Sequence, residues 1–217
     1  MEFALRPPIL PLALCASLAL TACGHARSHP SEAAAPVAAG VSLHEGGLAI
    51  LTPTASSGQD EDRQAVASQL SDSLTRLRPD LRVVPLTQTL SAVNAAGLAP
   101  TYDHLYSTYK NTGLLDGQDL TKIAQTLGVR YVIQLKIAAY DQSSGGGVGF
   151  LLAALIRDKK ANVRLFLQVW DSQTGRVVWE KTGEETEKKW SLVVERSIDM
   201  QEVVKSELDK LVPEIPG

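Results

Sequence analysis

Cysteine is scarce in this sequence of 217 residues, which contains only Cys15 and Cys23. Both lie within the first 23 residues, so the rest of the chain has no pair of thiols that could form an internal disulfide. The stability of the folded part must therefore come from an ordinary hydrophobic core.

The sequence also lacks the marks of several functional classes. The 21 Lys and Arg residues face 24 Asp and Glu, a net charge of −3, and no basic stripe suited to nucleic acid is visible. No Ser/His/Asp set, pair of carboxylates or cluster of metal ligands has a recognisable spacing. His25 and His29 lie close in sequence without thiolate or carboxylate companions. We therefore predict no cofactor and no metal site, and an enzyme is the least supported class.

The N-terminal residues 1–22 have the layout of a secretory signal peptide. Arg6 supplies a positive charge, an almost wholly apolar run extends over Pro8–Leu20, and the small residues Thr21 and Ala22 follow. The run is well short of the ~20 residues that a membrane-spanning helix needs. We expect this segment to be removed on export.

The residues Leu-Thr-Ala-Cys at 20–23 resemble the lipobox of bacterial lipoproteins. The resemblance implies that Cys23 is the lipid attachment residue, with a diacylglycerol on its sulfur and a further acyl chain, such as palmitate, on its new amino group. Two or more chains give stable membrane attachment. Gly24, in place of an aspartate, implies by the same resemblance the outer membrane, with the domain facing the periplasm. The alternative is an ordinary cleaved signal peptide with an incidental cysteine.

Composition divides the remaining chain into a tether and one domain. Residues 23–47 are rich in Ala, Ser, Pro, His and Gly and show no helical or strand period, which predicts a flexible tether. Residues 48–217 contain the periodic apolar segments and suffice for a single domain.

The apolar pattern of the domain predicts an α/β (α+β-like) fold. Strands are predicted over 48–51, 81–86, 131–140, 163–170 and 176–181, and helices over about 60–77, 87–98, 102–110, 119–127 and 194–212. The turn Asp171–Gly175 joins the last two strands into an antiparallel hairpin. Residues 183–189 fit either an extension of that hairpin or an exposed loop. We expect a mixed sheet with helices packed on it and the antiparallel hairpin near its C-terminal end.

The strand predicted over 131–140 shows a clean alternation. Apolar side chains occupy one face, and Gln134 and Lys136 occupy the other. This pattern is typical of a half-buried strand.

An apolar segment interrupts a glycine-rich loop predicted at about 142–160. The segment within Gly145–Ile156 is too short to cross a membrane. One interpretation is an exposed loop that contacts lipid or a protein partner, and the other is a loop or short helix folded back on the core. The residues of the first interpretation are Phe150, Leu151, Leu152, Leu155 and Ile156.

Three segments resemble the α/β module shared by the TolB amino-terminal domain, the curli-secretion lipoprotein CsgG and the penicillin-binding-protein activator LpoB. They are Leu48–Pro53, Ala124–Leu135 and Val163–Glu180. The resemblance implies a non-catalytic periplasmic module that binds other envelope proteins. With the lipobox and the absence of a basic stripe, we expect a lipid-anchored module of the cell envelope with no nucleic-acid partner, and a homo-oligomer is one arrangement open to it.

The same resemblance leaves open a pore or secretion subunit of the curli type. Such a subunit needs long hairpins that insert in the membrane, and the candidate here, Gly145–Ile156, lacks the alternation of an inserted strand. The tether is also short for a role like that of LpoB, which reaches across the periplasm.

Overall fold

The computed structural model describes residues 42–56, 63–146, 157–191 and 198–217. The helices in these ranges are α1 (Leu43–Gly46), α2 (Arg63–Leu77), α3 (Leu86–Ala95), α4 (Ala99–Thr112), α5 (Gly117–Leu127) and α6 (Met200–Leu211), and α6 continues into the 3-10 turn Val212–Glu214. The strands are β1 (Leu48–Ile50), β2 (Thr54–Ala55), β3 (Val83–Val84), β4 (Tyr131–Gly146), β5 (Arg157–Asp171) and β6 (Arg176–Ser191).

These strands form one six-stranded sheet in the order β3-β1-β4-β5-β6, and β2 also pairs with β4. β1 runs parallel to β3 and β4, whereas β5 is antiparallel to both β4 and β6. The predicted α/β class, with a mixed sheet and an antiparallel hairpin near the C-terminus, is confirmed. The antiparallel part has three long strands, because β4 pairs with β5 over its whole length.

Helices cover both faces of the sheet. On one face, α2 and α6 pack against alternate residues of β1, β4 and β5, so that Leu70 of α2, Ile133 of β4 and Val204 of α6 belong to one cluster. On the other face, α3, α4 and α5 enclose a second cluster around Val132 and Trp170. Burial of each large aliphatic side chain stabilises the fold by about 1.5–3 kcal/mol.

Helix α5 follows from its local sequence. The carboxylate of Asp116 accepts hydrogen bonds from the backbone N–H groups of Gln118 and Asp119 at 3.0 and 3.1 Å, which satisfies two donors of the first turn. Gly128 ends the helix with a φ of 63°, a conformation that glycine adopts without strain.

The packed domain begins earlier than the predicted boundary at residue 48. Leu43 is fully buried in the cluster beneath α2 and α6. The carbonyl oxygens of Gly46 and Gly47 accept hydrogen bonds from the N–H groups of Arg130 and Tyr131 at 2.7 and 3.1 Å. The segment 43–47 therefore belongs to the domain, because the side chain of Leu43 is buried in the core although the surrounding sequence is polar.

The long strands also replace both ends of the loop that the sequence predicts at about 142–160. β4 and β5 pair as far as Gly146 and Arg157, and residues 147–156 lie outside the described residues. Serines and glycines can extend a ladder whose partner strand is strong, although alone they predict a loop. The segment 183–189 is likewise part of β6. The strand predicted over 81–86 is only Val83–Val84, because Pro85 has no N–H for the ladder and α3 begins directly after it.

Gln134 corrects the interpretation of β4 as half-buried. It is only 2% exposed, and its amide donates hydrogen bonds to the backbone carbonyl oxygens of Thr52 and Leu135, each at 3.0 Å. A buried amide is tolerated when its donors are satisfied in this way. This part of β4 is therefore buried on both faces.

Gly183 in β6 makes room for a buried carboxylate on α6. A Cβ atom at this position would lie 1.8 Å from Oε1 of Glu207 and 3.0 Å from Cδ2 of Leu211. Burial raises the pKa of Glu207, and the ammonium of Lys210 at 3.7 Å opposes this rise. The absence of a side chain at Gly183 thus sets how closely α6 packs on the sheet.

We expect Gly183→Ala to lower the free energy of unfolding by about 1–3 kcal/mol, because the added methyl group overpacks the contact with α6. Gly117→Ala is the matched control, since a Cβ there meets nothing within 4 Å. Chemical denaturation of both variants measures the effect. Equal stability of the two variants would show that α6 can shift without cost.

Candidate functional site

The residues that the sequence predicts as functional lie outside the described residues. These are Cys23, Phe150, Leu151, Leu152, Leu155 and Ile156. The structure describes the two residues between which the apolar segment is attached, Gly146 and Arg157, and these are register partners at the end of the β4–β5 ladder. We therefore take the part of the sheet to which this segment is attached as the candidate site.

The three long strands continue past the helices at this end. Among the rows whose burial the structure describes, the last one with a fully buried side chain consists of Gln142, Ala161 and Glu187. The amide of Gln142 also donates to the carbonyl oxygen of Ile198, just before α6, at 2.6 Å. Four further rows follow, which we call the tip: 143–146 of β4, 157–160 of β5 and 188–191 of β6. They extend the sheet by about 13 Å.

The tip is strongly basic. It contains five cationic residues and one carboxylate, although the whole chain has a net charge of −3. The cationic residues are Arg157, Lys159, Lys160, Lys188 and Lys189. Lys160 and Lys188 are exposed, and Lys159 is half-buried. This patch is not visible in the sequence, because the two Lys-Lys pairs lie 29 positions apart and are brought together only by the strand register.

The second feature of this sheet is the outer edge of β6. Within the described ranges β6 pairs with β5 alone, so its other side presents the backbone groups of a strand of 16 residues. Two charged side chains of β6 are paired with the α6 region, since Lys210 donates to Glu185 and Lys181 donates to Glu214. An unpaired strand edge is a template for another chain.

A crevice at the carboxyl end of β1 is a separate feature of the other sheet half. β1 is paired with β3 on one side and with β4 on the other, so the strands that follow β1 in the chain lie on opposite sides of it. Open α/β sheets bind ligands at the carboxyl end of a strand with this arrangement. The crevice has a volume of about 570 Å³, and helices α2, α3 and α4 form its walls. Residues lining it include Thr52, Arg63, Leu90, Asn94, Tyr102 and Tyr106.

The main polar groups in the crevice bond to one another. The N–H of Thr52 donates to the hydroxyl of Tyr102 at 2.8 Å, and the hydroxyl of Thr52 lies 2.9 Å from the same oxygen. Arg63 donates to the hydroxyl of Tyr106, and its guanidinium lies 5.6 Å from the centre of that ring. Burial raises the pKa of Tyr102. The hydrogen bonds between Thr52 and Tyr102 connect the segment after β1 to α4. We therefore assign these residues a structural role.

The described part of the chain holds no group of three or more His, Cys, Asp or Glu placed to bind a metal ion. None of its helices combines the length and the apolar character that crossing a membrane requires.

Comparison with known families supports the resemblance seen in the sequence. The sequence model of the family described as "Curli production assembly/transport component CsgG" matches residues 109–212, which run from α4 to the end of α6. The resemblance to the CsgG family is thus confirmed over this part of the chain. No curated protein matches the chain.

The chain also has similarity, at low identity, to solved structures. PelC from Paraburkholderia phytofirmans, solved as a dodecamer, is 15% identical, with 83% of this chain and 93% of that chain covered and a TM-score of 0.49. The LpoB C-terminal domain from Salmonella enterica is 18% identical, covering 68% and 87%, with a TM-score of 0.42. Lipoprotein GNA1162 from Neisseria meningitidis is 18% identical, covering 78% and 97%, with a TM-score of 0.40.

We expect Tyr102→Phe to lower the free energy of unfolding by about 1–3 kcal/mol, because the N–H of Thr52 loses its acceptor in a partly buried place. Tyr106→Phe is the comparison variant, and its cost should be smaller, since water can replace the hydroxyl that Arg63 contacts. Thermal or chemical denaturation measures both. A larger loss for Tyr106→Phe would mean that Arg63, not Thr52, holds the crevice together.

Proposed function

We propose that the protein is a lipid-anchored lipoprotein of the bacterial cell envelope that acts as a non-catalytic binding or assembly module. The lipobox-like residues 20–23, behind a signal-peptide pattern, support attachment through Cys23. By the same resemblance the anchor lies in the outer membrane and the domain faces the periplasm. The CsgG family match over 109–212 supports an assembly role rather than catalysis.

The observation that carries the binding role is the outer edge of β6. Its 16 residues offer a row of backbone donors and acceptors long enough to pair with a strand of another protein. The acidic residues Glu184 and Glu185 of β6 are already paired with Arg164 and Lys210, so the edge offers a partner its backbone groups rather than free carboxylates.

If Cys23 carries the lipid anchor, replacing this residue should abolish acylation. Cys23→Ala should abolish incorporation of labelled palmitate and release the protein from the membrane fraction, because the acyl chains supply the stable attachment. Cys15→Ala is the matched control and should retain both properties, since Cys15 lies within the predicted signal peptide. Mass spectrometry of the mature N-terminus completes the test. Palmitate on the Cys23→Ala protein, or a mature N-terminus elsewhere, would refute the anchor.

The binding role predicts crosslinks from the outer edge of β6. An acylated Cys23 leaves the mature chain without a free thiol, so Thr186→Cys introduces a unique one at an exposed position of β6. A thiol-directed crosslinker in intact cells should then capture a discrete envelope protein. The matched control is Thr126→Cys on the exposed surface of α5, which should give no such adduct.

Two results would contradict the binding role. One is an equal set of adducts from Thr126→Cys and Thr186→Cys, which would indicate random encounters. The other is the absence of adducts from Thr186→Cys while membrane attachment is intact, which would show that the β6 edge has no partner in the cell.

A subunit of an oligomeric secretion assembly is the second candidate. It is favoured by the family description, which names an assembly and transport component, and by the exposed edge of β6, on which a second copy of the chain could pair. A Thr186→Cys adduct at twice the mass of the chain, with a ring seen by electron microscopy, would favour this candidate over the first.

A further inference from the structure

Like charges are paired directly across two strands of the tip. Lys159 of β5 is the register partner of Lys189 in β6, and Lys160 is the partner of Lys188. Neighbouring residues of a strand point to opposite faces, so one such pair belongs to each face of the sheet. Like charges directly opposite in a sheet destabilise it, and here this happens in two consecutive rows.

The same two strands use complementary charges nearer to the core. Arg164 of β5 is the register partner of Glu184 in β6, and Nη2 of Arg164 lies 2.9 Å from Oε2 of Glu184. The hydrogen bonds between the two side chains are typical of a favourable cross-strand pair. The change from opposite to like charge within four rows therefore marks the tip as chemically distinct from the rest of the sheet.

Protection of a sheet edge does not account for these lysines. Lysines on an edge strand discourage pairing with other proteins, which could explain Lys188 and Lys189 on β6. Lys159 and Lys160 are on β5, which is paired with β4 on one side and with β6 on the other. A strand in the interior of a sheet needs no such protection, so the positive charge must serve another purpose.

We infer that the tip binds an anionic membrane surface, with its lysines contacting the phosphate groups of acidic phospholipids. The inference rests on the proposed lipid anchor, which would hold the domain beside a bilayer. A negatively charged surface removes the repulsion between paired lysines, and each Lys or Arg near such a surface contributes about 1 kcal/mol. The neighbouring strand ends in Ser143, Ser144, Gly145 and Gly146, so β4 adds no charge that would oppose the contact.

The position of the tip is compatible with an anchor in the same membrane. The domain begins at the opposite end of the sheet, where Gly46 bonds to Arg130 next to the start of β4. The length of β5 places the tip about 45 Å from that end. The chain between Cys23 and Ser42 can extend to about 65 Å, so an upright domain can touch the bilayer that holds its own lipid.

Trp190 provides a natural probe for this contact. It is the register partner of Asp158 within the tip, whereas the other two tryptophans, Trp170 and Trp179, are buried in the core. The full-length acylated protein is incorporated into phosphatidylcholine vesicles in which a fraction of the headgroups carries a nitroxide quencher, with or without phosphatidylglycerol. We expect quenching of Trp190 emission only with phosphatidylglycerol, and loss of that quenching at high salt, which screens surface charges.

The double variant Lys160→Gln with Lys188→Gln should weaken engagement of the tip about 30-fold, which is the effect of two lysines at about 1 kcal/mol each. It should unfold no more easily than the parent, because the substitution removes a repulsion. The matched control, Lys110→Gln with Arg176→Gln, removes the same charge from exposed positions away from the tip and should bind as the parent does. Trp190→Phe should abolish the signal, which assigns it.

Equal quenching in neutral and acidic vesicles, or equal quenching in the two double variants, would overturn the inference. Flotation with phosphatidylcholine vesicles tests the lipid anchor separately, because an unacylated protein would not float with them. Flotation without any quenching of Trp190 would leave the anchor intact and refute the contact at the tip.

Discussion

The register of β4 is the constraint on which the rest of the structure depends. Among the described strands, β4 is the one that joins the parallel half of the sheet to the antiparallel half, with β1 on one side and β5 on the other. A slip by one residue would turn Ile133 and Leu135 away from α2 and α6 and bring Gln134 into that cluster. The crevice and the tip both depend on this register, because Thr52 is bonded to Gln134 and the tip is the far end of the same ladder.

A buried polar row fixes this register further. Gln134, Gln168 and Glu180 are register partners across β4, β5 and β6, and the amide of Gln168 donates to Glu180 at 3.1 Å. The carbonyl oxygen of the Gln168 side chain accepts from the hydroxyl of Tyr109 at 3.1 Å and from the indole N–H of Trp170 at 3.2 Å. Burial, with Glu180 nearby, raises the pKa of Tyr109 to about 12. Such a network is costly when only partly satisfied, so it discriminates against other registers.

The sequence predicts the elements whose signals are local. Helix α5 has its cap at Asp116 and its left-handed glycine at Gly128, and the turn Asp171–Gly175 contains the residues that turns require, so these elements could be predicted before the structure was known. The extent of β4 and β5 could not be predicted, because serines and glycines join a ladder only when the partner strand holds them there. Leu43 was missed for a similar reason, since a single apolar residue in a polar stretch carries no periodicity.

The candidate site was the least predictable part, because both the basic tip and the free outer edge of β6 result from the way the strands pair. The lysines at 159–160 and 188–189 are ordinary polar residues in the sequence and become a patch only through the β5–β6 register. The domain starts at one end of the sheet and the tip is at the other end. Contact of the tip with a bilayer would therefore orient the long strands roughly perpendicular to the membrane surface. The outer edge of β6 would then face sideways along the membrane surface. A partner bound there would be a lateral neighbour in the same envelope layer, which is the geometry that an assembly module requires.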